Sequence, residues 1–118
     1  MLFRSFIDLA KFFTHRQAGV AYAVCWARAR EKQPVVLSVG SGDGIKIWLN
    51  RKVAFERQIL RKAEPGQDNM RATLAQGWNE ILVKVDNAGG NKWGFYLELR
   101  DPNTSKPITG IEIKGSPP

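Results

Sequence analysis

One cysteine and one histidine in 118 residues leave this chain almost without metal-binding or redox side chains. Cys25 has no partner for an internal disulfide, and one Cys with one His cannot build a thiolate metal site. The redox compartment is therefore not set by the sequence. No stretch approaches the ~20 consecutive apolar residues that a membrane-spanning helix requires. Residues 1–17 mix apolar side chains with Arg4, Asp8, Lys11, His15 and Arg16. A signal peptide keeps its apolar run free of such charges and ends at a small-residue cleavage site. The segment reads as part of a cytoplasmic chain or as an internal piece of a larger one, and localisation is left unassigned.

Catalytic constellations are missing as well. His15 stands alone, with no Ser-His-Asp spacing around it. The eleven carboxylates are dispersed, so no acid/base pair is defined by sequence. Gly40 to Gly44 is glycine-rich, but it lacks the Gly-Lys-Ser/Thr ending of a phosphate loop and precedes a strand pattern where such a loop precedes a helix. These absences argue against an enzyme, and no cofactor or metal is expected.

What is present is a basic chain with many short apolar runs. Formal charge is +7, from 18 basic and 11 acidic residues. Such a balance attracts polyanions. Here the Lys and Arg are spread along the chain, with one denser group at Arg51, Lys52, Arg57, Arg61 and Lys62. A solvated surface is favoured over a nucleic-acid footprint, because a high pI does not define a patch.

The apolar residues follow period two in several places. Val20, Tyr22, Val24 and Trp26 alternate with Ala21, Ala23, Cys25 and Ala27, so both faces are apolar, as in a strand enclosed by a sandwich. Further strands are expected at Val35–Val39, Ile45–Leu49, Val53–Arg57, Met70–Leu74, Trp78–Val85 and Trp93–Arg100. Residues 3–9 suit an opening strand, although Phe6, Leu9 and Phe13 also share a helical face. Residues 59–69 read as a long surface loop or a short helical excursion. Ile108 to Ile113 reads as a last edge strand before a frayed tail. Seven or eight short strands, about ten residues apart with turn signals between them, predict one all-β domain over residues 1–118, an antiparallel jelly-roll-like sandwich.

Three motifs stand in order along these strands: Ser41-Gly42-Asp43-Gly44-Ile45-Lys46-Ile47-Trp48-Leu49-Asn50, then Gly77-Trp78-Asn79, then Gly89-Gly90-Asn91-Lys92-Trp93-Gly94-Phe95. Over residues 18–100 the chain resembles the galactose-binding-like and PA14-like β-sandwich accessory modules. Those modules are typically joined to secreted or surface bacterial proteins. The resemblance implies a non-catalytic module that binds carbohydrate weakly through loops and exposed aromatics. Asp43, Lys46, Trp48, Asn50, Asn91 and Trp93 are the candidate ligand-binding residues.

Each candidate also has an ordinary structural role. Asp43 can cap its own turn. Trp48 is out of phase with Ile45, Ile47 and Leu49, so it either faces solvent or packs under a loop, and Trp93 is either a platform or part of the core. Two positions depart from the family pattern. Gly42 replaces one of two aspartates that calcium-dependent relatives use, and Arg51 replaces the glycine of an Asn-Gly turn. Arg51 implies strain, another turn type or a shifted hairpin. The alternatives are a structural or protein-docking module without a small ligand and, more weakly, a polyanion-binding module.

Overall fold

A computed structural model describes residues 7–8 (backbone), 19–87 and 93–118. Among these residues every regular element is a strand: β1 (Ile7–Asp8), β2 (Gly19–Ala29), β3 (Gln33–Gly42), β4 (Ile45–Leu49), β5 (Lys52–Arg57), β6 (Asp68–Leu74), β7 (Gly77–Asn87), β8 (Gly94–Arg100) and β9 (Glu112–Lys114). They form two antiparallel sheets, ordered β1-β8-β3-β6 and β5-β4-β7-β2-β9. The fold is thus the expected jelly-roll-like β-sandwich.

The core lies between the sheets, as period-two burial dictates. Val35, Leu37 and Val39 of β3 and Phe95, Leu97 and Leu99 of β8 face Ala21, Cys25 and Ala27 of β2, Ile45 and Ile47 of β4, and Ile81, Val83 and Val85 of β7. Alanines and the lone cysteine on β2 keep that strand's inner face thin. Larger side chains from the facing sheet fill the space. Burial pushes the Cys25 thiol up to about 12.

One expectation is corrected here. The apolar outer face of β2 is not enclosed: Val20 is 49% and Tyr22 61% exposed. The five-stranded sheet packs through one face only, which antiparallel sheets permit. The β2–β7 pairing, which runs in register from Gly19↔Asn87 to Ala29↔Gly77, carries the Val20-Tyr22-Val24-Trp26 set to the outside.

Residues 58–67 form an irregular excursion between β5 and β6 and contain no helix, in line with the loop reading. The last strand is displaced from its expected place. Ile108 donates its N–H to the Leu99 carbonyl, and β9 begins at Glu112, pairing with the edge of β2. Asn91, the Gly89-Gly90 loop and most of the expected opening strand lie outside the described residues; Ile7 and Asp8 pair with β8.

Candidate functional site

The first motif splits into two halves with different surroundings. Its loop half is buried and internally bonded. The Asp43 N–H donates to the Asp86 carbonyl at 2.7 Å, and the Asp43 carboxylate accepts the Arg61 N–H at 3.0 Å. The Ser41 hydroxyl donates to the Asp43 carbonyl at 2.6 Å. Arg61 reaches back from the excursion with Nε on the Ser41 carbonyl and Nη2 on Ser41 Oγ and Asp68 Oδ2, the last at 2.7 Å. Gln67 accepts the Ser41 N–H and donates to the Lys62 carbonyl, closing the excursion on itself. Asp43 therefore anchors residues 58–67 over the end of β3. Arg61 is the residue this anchoring needs and sequence reasoning missed, since nothing local to Ser41–Asp43 points to a partner some twenty residues on.

Asn50 is likewise committed to the fold. It opens the two-residue β4–β5 turn, where Asn50 and Arg51 both have positive φ, 51° and 69°. Its N–H donates to the Glu80 carbonyl, its Oδ1 accepts the Glu80 N–H, and its Nδ2 donates to Asn79 Oδ1 at 2.8 Å. Asn79, fully buried, also accepts from the Ala75 N–H and donates to the carbonyls of Ala27, Ala75 and Gly77. The asparagines of the first and second motifs thus bond to each other and tie the β4–β5 turn to the start of β7.

Trp93 lies in the core at 5% exposure and donates its indole N–H to the Val85 carbonyl at 3.3 Å. Its ring is not an exposed platform, so of its two readings the packing role holds.

The strand half of the first motif lies on the open face. Trp48 and Lys46 point outward from β4, with Lys46 Nζ 4.9 Å from the Trp48 ring centroid and 3.8 Å from Glu56. Across β7 the Trp48 ring meets Tyr22, with centroids 6.5 Å apart and planes 29° from parallel. The strand registers explain the meeting. One cross-strand row runs Tyr22–Lys84–Lys46–Glu56, and the next runs Val24–Leu82–Trp48–Val53. Two aromatic rings and an apolar row therefore lie side by side on one face, bordered by lysines. Tyr22, Lys84 and Leu82 were not among the expected site residues. The period-two run Val20-Tyr22-Val24-Trp26 was the signal that could have found them, had its second apolar face been read as a surface.

Among the described residues one groove of about 700 Å³ lies at the far end of β2, beside Arg28, Arg30, Gln76 and Gly110, and another of about 430 Å³ lies beside Ser38, Asn69, Arg100 and Ser105. Among the described residues no three His, Cys, Asp or Glu side chains are grouped to hold a metal ion.

No protein-family profile and no curated protein matches this chain. Solved structures do. The PA14 domain of the antifreeze protein MpAFP superposes with a TM-score of 0.65 at 16% identity, covering 86% of this chain and 55% of that one. A family 35 carbohydrate-binding module from an environmental isolate superposes with a TM-score of 0.61 at 17% identity, covering 96% of this chain and 80% of that one. This chain thus spans only about half the length of the antifreeze-protein structure. At these identities the likeness is one of fold, a β-sandwich like those of that PA14 domain and that carbohydrate-binding module.

Proposed function

We propose that this chain is a non-catalytic accessory module that binds carbohydrate weakly, by stacking sugar rings on Trp48 and Tyr22. The observation that carries this reading is the paired, outward-facing rings on the five-stranded sheet. Sugar rings have apolar faces that pack on aromatic faces, while their hydroxyls need donors and acceptors at the rim, which Lys46, Lys84 and Glu56 supply. The fold likeness to a carbohydrate-binding module supports the reading. The proposed surface keeps Lys46 and Trp48 from the residues expected from sequence and leaves out Asp43, Asn50 and Trp93, which are bonded within the fold.

The test is titration with simple sugars and a glycan array, following tryptophan fluorescence. Trp48→Ala and Tyr22→Ala should each weaken binding by about tenfold with near-native thermal unfolding, since each removes one stacking face. No fluorescence response at millimolar ligand, or full binding by both variants, counts against the reading.

A structural or docking module is the second reading. Exposed Val20 and Val53 beside the rings favour it, as does the internal use of Asp43. It predicts no response to any glycan. Net charge alone supports a third, polyanion binding, whose affinity must fall steeply with salt.

A further inference from the structure

Lys84 lies beside the rings on the same face, directly opposite Tyr22 on one side and Lys46 on the other. Like charges in directly opposed cross-strand positions cost stability, so this arrangement is not explained by the fold itself. Glu56, 3.8 Å from Lys46, offsets one of the two charges. Among the described residues Lys84 makes no ion pair. The remaining carboxylates of the face are engaged elsewhere. Glu80 lies 4.0 Å from Arg51, Glu112 lies 3.8 Å from Arg28, and Asp86 accepts the Gly44 N–H at 3.1 Å. Asp86 keeps its charge two residues along β7, so the face as a whole is not positive; what stands beside the rings is the Lys84 ammonium, with no carboxylate of the described residues within ion-pair distance.

We propose that the face takes an acidic polysaccharide, with a sugar ring on Trp48 and Tyr22 and the sugar's carboxylate or sulfate drawn between Lys46 and Lys84. The inference rests on the carbohydrate reading and narrows its ligand class. A neutral glycan lying on the rings would offer the Lys84 ammonium hydroxyl acceptors but no charged partner. An anionic substituent supplies that partner and screens the two lysines from each other. A single-stranded nucleic acid would also offer rings and anions, but it needs a track of free cations along its backbone. Here the flanking Arg28 and Arg51 are matched by Glu112 and Glu80.

The experiment titrates the full chain, at low and moderate salt, with polygalacturonate, dextran sulfate, their neutral counterparts galactan and dextran, and a single-stranded oligonucleotide. Wild type is compared with Lys84→Gln, Trp48→Ala and, as a remote charge control, Lys106→Gln. The expected result is that at least one acidic polymer binds about tenfold or more tightly than its neutral counterpart, as a charge-assisted contact implies. Lys84→Gln should abolish that preference, Trp48→Ala should weaken all saccharide binding, and Lys106→Gln should change nothing. The two acidic polymers separate carboxylate from sulfate recognition. Equal binding of neutral and acidic polymers, unaffected by Lys84→Gln, overturns the acidic class and leaves the carbohydrate reading standing. If no saccharide binds, both fall. Binding insensitive to Trp48→Ala, or weakened as much by Lys106→Gln as by Lys84→Gln, reduces the contact to net charge and overturns the proposal. Tighter, Trp48-dependent binding of the oligonucleotide overturns it in favour of nucleic acid.

Discussion

Arg51 is where sequence and backbone disagree most sharply. The β4–β5 connection keeps the two-residue form and both positive φ values of a type I′ turn, with Leu49 paired to Lys52 across it. Of the three alternatives that Arg51 posed, two are met: a long side chain sits in the left-handed region of a retained two-residue turn, and the hairpin register shifts at a bulge between Ile47 and Trp48. Asn50 tolerates that region readily, and Arg51 does not. Its side chain is 87% exposed and lies 4.0 Å from Glu80, a contact worth little in water. Arg51→Gly should therefore stabilise the protein by about 0.5–1 kcal/mol, the relief of the left-handed conformation less the added freedom of glycine in the unfolded chain. Thermal unfolding reads this as a rise of a few degrees in Tm. A fall would mean that Arg51 makes a contact worth more than the strain.

At the scale of elements, the first motif was legible as a turn feeding a strand, but the turn is shorter than its glycines suggest: Gly40, Ser41 and Gly42 belong to β3 and pair with β8, leaving Asp43-Gly44 before β4. Its partners were not legible, because pairing across tens of residues leaves no local trace. Asn50 and Asn79 each look like turn residues, yet their side chains meet at 2.8 Å. Period two told which β2 residues share a face. It could not tell which face is covered, since Ala21, Cys25 and Ala27 are as apolar in sequence as Tyr22 and Val24. The excursion over residues 58–67 was the least legible segment, yet it is pinned closely. A Cβ on Gly40 would stand 1.6 Å from the Glu64 carbonyl oxygen, a backbone atom that cannot step aside without moving the excursion. Gly40→Ala should destabilise the fold by about 2 kcal/mol or more. It should also accelerate amide hydrogen exchange in residues 58–67, where Arg61 loses its hold on Ser41 and Asp43. Binding on the opposite sheet, at Trp48 and Tyr22, should persist in the folded fraction. Unchanged exchange in the excursion would mean that residues 58–67 are not held by that close approach.

Taken whole, the molecule is a sandwich with one face of its five-stranded sheet left open, so its stability must come from the single layer between the sheets. Cys25 sits in that layer at 1% exposure, on the thin inner face of β2. Burial raises its thiol to about 12, so at neutral pH the native protein holds almost no thiolate, the form that reacts. Reaching the sulfur requires the sheets to separate, because β2 is paired along its length to β7 and covered from inside by the other sheet. Cys25 should thus report global opening. Labelling by an aromatic disulfide reagent at neutral pH should be very slow in native buffer and should accelerate with denaturant in parallel with the loss of tryptophan signal. The sign with pH follows from the same shift. Above the ordinary thiol value of 9.0 the unfolded chain ionises while the folded one stays protonated up to about 12, so this group makes stability fall as pH rises through that window. Fast labelling in native buffer, uncoupled from unfolding, would mean that β2 opens locally. The sheet carrying Tyr22 would then be too loose to hold the two rings 6.5 Å apart.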